Sequence, residues 1–128
     1  MIMYNDSYLI WETYQSSLIR GIRFYPRFDD MILLNVNVGK IDKAWRKNNR
    51  SYIGRGGSVN AIGNRYEKFI EFLKKNKKIE ASEIYFKKDG TISFDNGRHR
   101  FAVLRDLGMD RMDIAVRRDN IDEAEKYE

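Results

Sequence analysis

The fold of this chain is decided by Ile92-Ser-Phe-Asp-Asn-Gly-Arg-His-Arg-Phe-Ala-Val-Leu-Arg-Asp-Leu-Gly108. The first residues alternate apolar and polar side chains as a strand does, and a tight polar turn then leads directly into a helix. The unpaired amides of a first helical turn favour anions. Here that turn also carries Arg98, His99, which is the only histidine, and Arg100. The stretch therefore predicts an anion site, and two arginines favour phosphate as the ligand.

A structural interpretation of the same turn stays open. In that interpretation Asp95 or Asn96 caps the helix, the arginines are exposed, and His99 caps or packs. As a functional residue, His99 would donate to a phosphate oxygen or carry a proton near neutral pH. The concentration of Arg-His-Arg where the backbone already selects anions favours the functional interpretation.

The flanking sequence predicts both strands and helices. Strand patterns occur at residues 31–38 and 112–116, and the turn Lys88-Asp89-Gly90 predicts a hairpin. A first helix is predicted after an Asp6-Ser7 cap, with a stripe at Tyr8, Trp11, Gln15 and Leu18 and an end at Gly21. A short helix is predicted at residues 41–45. Two further helices are indicated by the apolar spacings of Tyr66, Phe69, Ile70 and Leu73 and of Phe101, Leu104 and Leu107. Loops are predicted at residues 25–30 and 47–57, and the C-terminal tail is expected to be a short helix or frayed.

The composition describes one soluble globular domain. The chain has 128 residues, of which 42% are hydrophobic and 34% are charged. It contains no cysteine, which excludes disulfides, thiol catalysis and cysteine metal sites and fits a cytoplasmic protein. We expect no membrane partner, because no apolar run is long enough to span a bilayer. We expect no signal peptide, because the N-terminus lacks a basic segment followed by an apolar one.

The charge is unevenly distributed along the chain. The net charge is +5, while residues 119–128 contain five acidic residues and one lysine and carry −4, so the preceding residues carry +9. A basic body favours a polyanionic partner such as a nucleotide or nucleic acid. Many basic domains are merely soluble, so the charge alone leaves both interpretations open.

Two further segments are candidate parts of a phosphate site. Glycines in Gly54-Arg-Gly-Gly-Ser58 permit close approach of a ligand to the backbone, so Arg55, Gly56 and Gly57 are candidates. The segment lacks the Gly-Lys-Ser/Thr ending of a P-loop, and a mobile loop is the alternative. On the next helix, Arg65 could bind phosphate and Glu67 could hold a metal or act as a base, or the two could be an ordinary surface pair.

A metal site would have to use oxygen ligands. The sequence has no clustered His or Cys and no His-Glu-x-x-His motif. Asp95, Glu67 and Glu71 are the carboxylates that could hold Mg²⁺ together with the phosphates of a nucleotide.

Taken together, these residues resemble a known family. A strand, then Phe-Asp-Asn-Gly-Arg-His-Arg-Phe-Ala-Val-Leu, then Leu-Gly-Met before a last strand, resembles the core of the ParB/sulfiredoxin superfamily. Members carry Asp-Gly-x-His-Arg or Gly-Glu-Arg-Arg at the same strand-to-helix turn. The similarity covers about residues 31–117, because the early strand with its short helix, the middle helix and the hairpin follow in the same order.

The resemblance implies an α+β fold with a small mixed sheet, packed helices and a turn that grips nucleotide phosphates. Together with the helix pattern and the acidic tail read from the residues, it divides the chain into an N-terminal helical extension at residues 1–30, a core at 31–118 and an acidic tail at 119–128. The family includes CTP-binding partition proteins, an ATP-using reductase, a free-serine kinase and members described as ATPases or DNases, so Mg²⁺ with ATP or CTP is the expected cofactor. By position, the phosphate site would consist of Gly97, Arg98, His99 and Arg100, with Arg65 from the middle helix.

Departures from the family exclude its best-known uses. Arg98 stands where sulfiredoxin has its catalytic cysteine, so that chemistry is excluded. Partition proteins carry a helix-turn-helix and a dimerisation domain after this core, and loading onto specific DNA sites is not expected here. Asn96 is inserted between Asp95 and Gly97, which leaves the register of the carboxylate open.

Two functions follow as hypotheses. The leading one is a stand-alone domain that binds a nucleotide or a nucleic-acid phosphate at residues 97–100. If it is an enzyme, we expect Mg²⁺-dependent phosphoryl transfer or phosphodiester hydrolysis, with Asp95 or Glu67 holding metal or acting as base and His99 carrying a proton. The rival is a non-catalytic accessory protein, of phage or plasmid type, that binds DNA or a host protein through the basic loop at residues 43–55.

Overall fold

A four-stranded mixed sheet lies at the centre of the fold in the computed structural model, which describes residues 17–128. The strands are, in chain order, β1 (Arg23–Tyr25), β2 (Met31–Asn37), β3 (Lys78–Glu80), β4 (Glu83–Phe86), β5 (Ile92–Asn96) and β6 (Arg111–Arg117). The helices are α1 (Val38–Trp45), α2 (Arg65–Lys75), α3 (Arg98–Asp106) and the short α4 (Ile121–Ala124). This architecture confirms the predicted α+β class.

The central sheet has the order β2-β6-β4-β5. β2 runs antiparallel to β6 with Leu34 opposite Ile114, β6 runs parallel to β4, and β4 turns back into β5 through the predicted hairpin. Gly90 adopts φ 84° in that turn, a conformation that favours glycine. The predicted hairpin and the last predicted strand are therefore confirmed.

The junction of β2 and α1 differs from the prediction. The strand ends at Asn37, whose side chain accepts a hydrogen bond of 3.0 Å from the Lys40 amide and so caps the helix. Val38 is therefore the first helical residue rather than the last strand residue. Gly39 lies inside α1.

A second sheet was not predicted. β1 and β3 pair in parallel, with Phe24 opposite Ile79, so the predicted loop begins only after Tyr25. Strands of three residues are too short to show an alternating pattern. Tyr25, Ile79 and Glu80 of this pair form one wall of the cavity described below.

The core fixes α3 against the central sheet. Trp45 is fully buried, and its ring lies 4.6 Å from that of Phe94 on β5 and 5.8 Å from that of Phe101 on α3. Each such aromatic side chain contributes about 1.5–3 kcal/mol by burial. The predicted apolar spacings are confirmed: α2 buries Tyr66, Phe69 and Leu73, and α3 buries Phe101 and Leu104.

The ends of the described chain are also helical. Residues 17–19 are helical and precede Gly21, which has φ 76°, whereas the predicted stripe at Tyr8, Trp11 and Gln15 lies outside the described residues. In the acidic tail, α4 follows Asn120, whose buried side chain bonds the Phe86 amide at 2.7 Å and its carbonyl at 2.8 Å. The helical alternative for the tail is thus confirmed, and the tail is docked on β4.

Candidate functional site

A cavity of about 470 Å³ lies between the first turn of α3, one face of α2 and the β1–β3 pair. α2 contributes residues at i, i+3, i+4 and i+7, a spacing that places them on one helical face. These are Arg65, Lys68, Phe69 and Phe72. The other walls consist of Tyr25, Ile79, Glu80, Asn96, Gly97, His99 and Arg100. Four predicted phosphate-site residues, Arg65, Gly97, His99 and Arg100, therefore share one cavity.

The α2 wall combines free cations with aromatic rings. Arg65 and Lys68 are exposed, and neither side chain has a hydrogen-bond or ion-pair partner within residues 17–128. Phe69 and Phe72 stack with their centroids 5.8 Å apart, and 43% of Phe72 is exposed. Across the cavity, Tyr25 is 38% exposed. Such a wall offers positive charge at one end and a surface for a planar ring at the other.

Arg100 is paired with a carboxylate that the sequence did not indicate. Its Nη2 lies 3.2 Å from Glu80 Oε2, and its Nε donates to the Glu80 carbonyl at 3.1 Å. The side-chain Nδ2 of Asn96 donates to the same Oε2 at 3.0 Å. Burial lowers the pKa of Arg100, although Glu80 acts against this. Arg100 therefore holds Glu80 at the cavity wall and is not a free phosphate-binding cation.

Gly97 forms the turn between β5 and α3. Its φ of 82° and ψ of 24° lie in the left-handed region, which favours glycine. Its carbonyl accepts from the Phe101 amide at 3.0 Å and from Ser82 Oγ at 2.8 Å. Gly97 is itself the N-cap and no side chain caps α3, so the interpretation in which Asp95 or Asn96 caps the helix is wrong.

His99 packs under a loop while lining the cavity. It is only 8% exposed, and its Nε2 accepts a hydrogen bond of 3.0 Å from the Ile62 amide. This bond requires an unprotonated Nε2, so the neutral ring carries its proton on Nδ1. Burial lowers the pKa of His99, and the nearby charges of Arg98 and Arg65 lower it further. The imidazole is thus neutral at pH 7 and positions the loop.

Arg98 faces the loop and does not line the cavity. Its Nη1 donates to the carbonyls of Ser51 at 3.0 Å and Asn60 at 2.9 Å. Burial lowers the pKa of Arg98, and the charge of Arg65 contributes to the shift. The structure therefore gives Arg98 a role in holding the segment between α1 and α2.

The predicted carboxylates lie outside the cavity. Asp95 is exposed and lines a separate cavity of about 630 Å³ with Arg27 and Glu83, because adjacent strand residues point to opposite faces. Glu67 is exposed on α2 and does not line the cavity. Within residues 17–128, no cluster of three or more His, Asp or Glu side chains could hold a metal ion.

The glycine loop lies at the other end of α3. The Gly56 amide donates to Asp106 Oδ2 at 2.8 Å, and Arg55 Nη1 lies 3.7 Å from Asp106 Oδ1. Eight residues separate Arg98 from Asp106, or about 12 Å along a helix. Gly57 packs against the Tyr66 ring, where an added Cβ would lie 3.0 Å from the ring. The structure therefore does not bring Arg55, Gly56 and Gly57 to the first turn of α3.

A buried ion network joins α3 to the same loop from its other end. Arg105 Nη1 donates to Asp42 Oδ1 at 3.0 Å and to the Ile53 carbonyl at 2.8 Å, while its Nε donates to Asp106 Oδ1 at 2.8 Å. Burial alone would lower the pKa of Arg105, but the two carboxylates more than offset this and raise it. Together with Arg98 and His99, Arg105 fixes the path of residues 51–62.

Several lining residues were missed in the sequence. Lys68 and Phe72 could have been found, since they follow Arg65 at i+3 and i+7 on a predicted helix. No sequence pattern indicated that Glu80 belongs to the site, because β3 is three residues long and its pairing with β1 is nonlocal.

No protein-family model, no curated protein and no solved structure matches this chain. The resemblance to the ParB/sulfiredoxin superfamily therefore stays a prediction that rests on the order of elements and on the turn at residues 94–104. No helix within residues 17–128 is long and apolar enough to cross a membrane.

Proposed function

We propose that the cavity between α2 and α3 binds a phosphate-bearing ligand, either a nucleotide or a nucleic-acid segment. One observation carries the proposal: Arg65 and Lys68, two cations that have no partner among residues 17–128, line the same cavity as the Gly97–Arg100 turn. Exposed cations on a cavity wall attract an anionic ligand, and hydrogen bonds between two charged groups are shorter and stronger than neutral ones. The resemblance noted in the sequence supports the same class of ligand.

The lining residues suggest a division of roles. Arg65 and Lys68 would neutralise the phosphate, and amides in the first turn of α3 would donate to its oxygens. The exposed ring of Phe72 would stack against a nucleobase. Arg98 and His99 would act indirectly, by holding the loop that borders the cavity.

The donor set fits Mg²⁺ poorly. Mg²⁺ usually binds through one or two carboxylates and the phosphates of the ligand. Glu80 is the one carboxylate that lines the cavity, and its Oε2 already accepts from Arg100 and Asn96. Positive charge at this site comes from side chains, so no reaction step through a metal follows from these residues. The proposal is therefore one of binding, and the catalytic roles of Asp95, His99 and Glu67 stay predictions.

Substitution on α2 tests the proposal most cleanly. Arg98 and Arg100 hold other parts of the fold, so their loss would mix binding with folding. The double variant Arg65→Gln/Lys68→Gln changes two side chains that have no partner within residues 17–128, and Lys75→Gln on the same helix is a control outside the cavity. In a thermal-shift screen of nucleotides and short oligonucleotides, a ligand at a hundred times its Kd stabilises the parent protein by about 2.7 kcal/mol.

We expect the double variant to lose this stabilisation and Lys75→Gln to keep it. If the double variant responds to the same ligand as strongly as the parent protein does, this cavity is not the phosphate site. Unfolding temperatures without ligand should match within a few degrees, which separates loss of binding from loss of fold.

A second candidate function is nucleic-acid or protein binding through the basic loop. Lys47, Arg50 and Lys87 surround a shallow depression of about 270 Å³ that no carboxylate lines. Arg50 and Lys87 are exposed there, as the accessory-protein hypothesis requires. Retention of a bound oligonucleotide by Arg65→Gln/Lys68→Gln, with its loss in Arg50→Gln/Lys87→Gln, would favour this function.

A further inference from the structure

The side chains that line the cavity carry a small net positive charge. Arg65, Lys68 and Arg100 contribute three positive charges, and Glu80 contributes one negative charge. His99 contributes none at pH 7, because burial lowers its pKa below the ordinary value of 6.5. The lining therefore has a net charge of +2, and two of its cations, Arg65 and Lys68, have no partner in the part of the chain that the structure describes.

This net charge selects among phosphate ligands. A phosphomonoester carries about −1.5 to −2 charges at pH 7. A phosphodiester carries one charge and would leave a cation unmatched, whereas a di- or triphosphate carries more negative charge than the lining balances. Because Arg65 and Lys68 are exposed, solvent screens part of any mismatch, so the charge balance sets a preference among these ligands of modest size. One phosphomonoester group is the phosphate that this lining neutralises.

The shape of the cavity adds a planar group to the ligand. Arg65 and Phe72 are seven residues apart on α2, or about 10 Å along the helix axis, with Lys68 between them. A phosphate held at Arg65 and Lys68 thus leaves room for one sugar before the exposed Phe72 ring. Glu80 faces the same space, and its Oε1 has no hydrogen-bond partner within the described part of the chain. A carboxylate oxygen there suits a donating sugar hydroxyl.

We infer that the ligand of this cavity is a nucleoside monophosphate. Its phosphomonoester is balanced by Arg65 and Lys68, its base stacks on Phe72, and its sugar donates to Glu80. This inference rests on the proposed function and narrows it, since it sets the monophosphate apart from the ATP or CTP that the family resemblance implies. The same chemistry occurs at the 5′-phosphorylated end of an oligonucleotide, which the experiment distinguishes.

The first test compares ligands by calorimetry on the full chain, with EDTA present. The probes are AMP, CMP, GMP and UMP, the matching nucleoside triphosphates and nucleosides, and a 5′-phosphorylated dinucleotide. We expect the best monophosphate to bind about tenfold more tightly than its triphosphate and than its nucleoside, a difference of about 1.4 kcal/mol. A triphosphate that binds as tightly as the monophosphate would overturn the inference.

The other outcomes are equally decisive. If none of the phosphate-bearing probes binds, the proposed function itself fails. If the 5′-phosphorylated dinucleotide binds about tenfold more tightly than any mononucleotide, the ligand is a nucleic-acid end and the assignment to a free monophosphate is wrong.

The second test changes the charge of the lining. In Glu80→Gln, the amide oxygen can still accept from Arg100 and Asn96, while the net charge rises by one. The preference for monophosphate over triphosphate should then fall severalfold. Lys68→Gln lowers the net charge by one and should weaken monophosphate binding about tenfold.

Matched controls carry the same charge changes outside the cavity. Glu125→Gln and Lys75→Gln alter exposed residues that do not line it. Both should keep the affinities and the ligand preference of the parent protein. If the controls shift the preference as much as the cavity variants do, or if Glu80→Gln leaves it unchanged, the charge-matching argument is wrong.

Discussion

Replacing Arg105 with methionine tests whether a buried ion network holds α3 to the rest of the fold. Arg105 is only 2% exposed at its side chain and lies 3.0 Å from Asp42 and 2.8 Å from Asp106. Methionine keeps an unbranched apolar stem of similar length, but it loses the guanidinium group, whose Cζ lies 5.9 Å from the centroid of the Trp45 ring and 5.5 Å from that of Tyr52. The substitution therefore removes the charge and its hydrogen bonds and creates only a small cavity.

The expected loss follows from the groups that are left behind. Removing one partner of a buried ion pair costs about 3–5 kcal/mol, because the remaining charge stays desolvated. Here the two carboxylates keep other donors, such as Tyr52 for Asp42 and Tyr66 for Asp106. In the parent protein the buried Nη2 of Arg105 also lacks a hydrogen-bond partner among residues 17–128, and such an unsatisfied group costs about 1–3 kcal/mol. We therefore expect a loss of about 3 kcal/mol, near the lower end of the range.

Chemical denaturation in urea measures this loss as a shift in the midpoint at constant slope. Arg46→Met is the matched control, because Arg46 also lies 3.0 Å from Asp42 but its side chain is 66% exposed. An exposed pair contributes less than about 1 kcal/mol. Equal losses from the two variants, or a loss below about 1 kcal/mol for Arg105→Met, would refute the view that burial makes this network strong.

Three further predictions concern α3. The carbon-bound protons of His99, the single histidine, should titrate in NMR below pH 6.5, since burial disfavours the charged ring. Because the pKa of His99 is lowered in the folded protein, the free energy of unfolding should fall as the pH drops below about 6.5. This fall should be smaller in the His99→Gln variant. A pKa at or above 6.5 would contradict this. Gly97→Ala should lower the free energy of unfolding by about 1–2 kcal/mol because of the positive φ at this position. The loss should exceed that of Gly108→Ala, because of these two positions only Gly97 would bring the new Cβ against other side chains. Equal unfolding midpoints of the two variants in urea would count against this prediction. Arg98→Met should speed hydrogen exchange across residues 51–62 and leave β6 protected, and unchanged exchange there would remove its assigned role.

Local periodicity explains the part of the fold that the sequence predicts well. The apolar spacing that starts at Tyr66 and the one that starts at Phe101 each place a stripe on one helical face, and both stripes are buried. The hairpin follows from a glycine between two alternating segments. Each of these signals lies within a dozen residues of sequence. The β1–β3 pair joins residues that are more than fifty positions apart in the sequence, and no local pattern predicts this pairing.

The candidate site shows the same difference between local contacts, which the sequence predicts, and nonlocal contacts, which it does not. Gly97, His99 and Arg100 belong to one turn, so their proximity to each other follows from the motif itself. Arg65 reaches the same cavity because α2 and α3 pack together. Asp95 faces a different cavity, since strand residues alternate in direction. That a carboxylate of β3 would pair with Arg100 could not be foreseen, because it depends on the unpredicted second sheet.

The arginines of the motif serve two sides of one helix. Arg98 and Arg105 are seven residues apart, so two helical turns bring them to the same face, where both donate to carbonyls of the segment between α1 and α2. Arg100 points instead to β3 and holds Glu80 at the cavity. A cationic cluster in sequence is therefore not one cationic surface in space. Binding experiments that neutralise the whole motif would report mostly on the loop and on Glu80, whereas changes at Arg65 and Lys68 report on charges that no other part of the described structure uses.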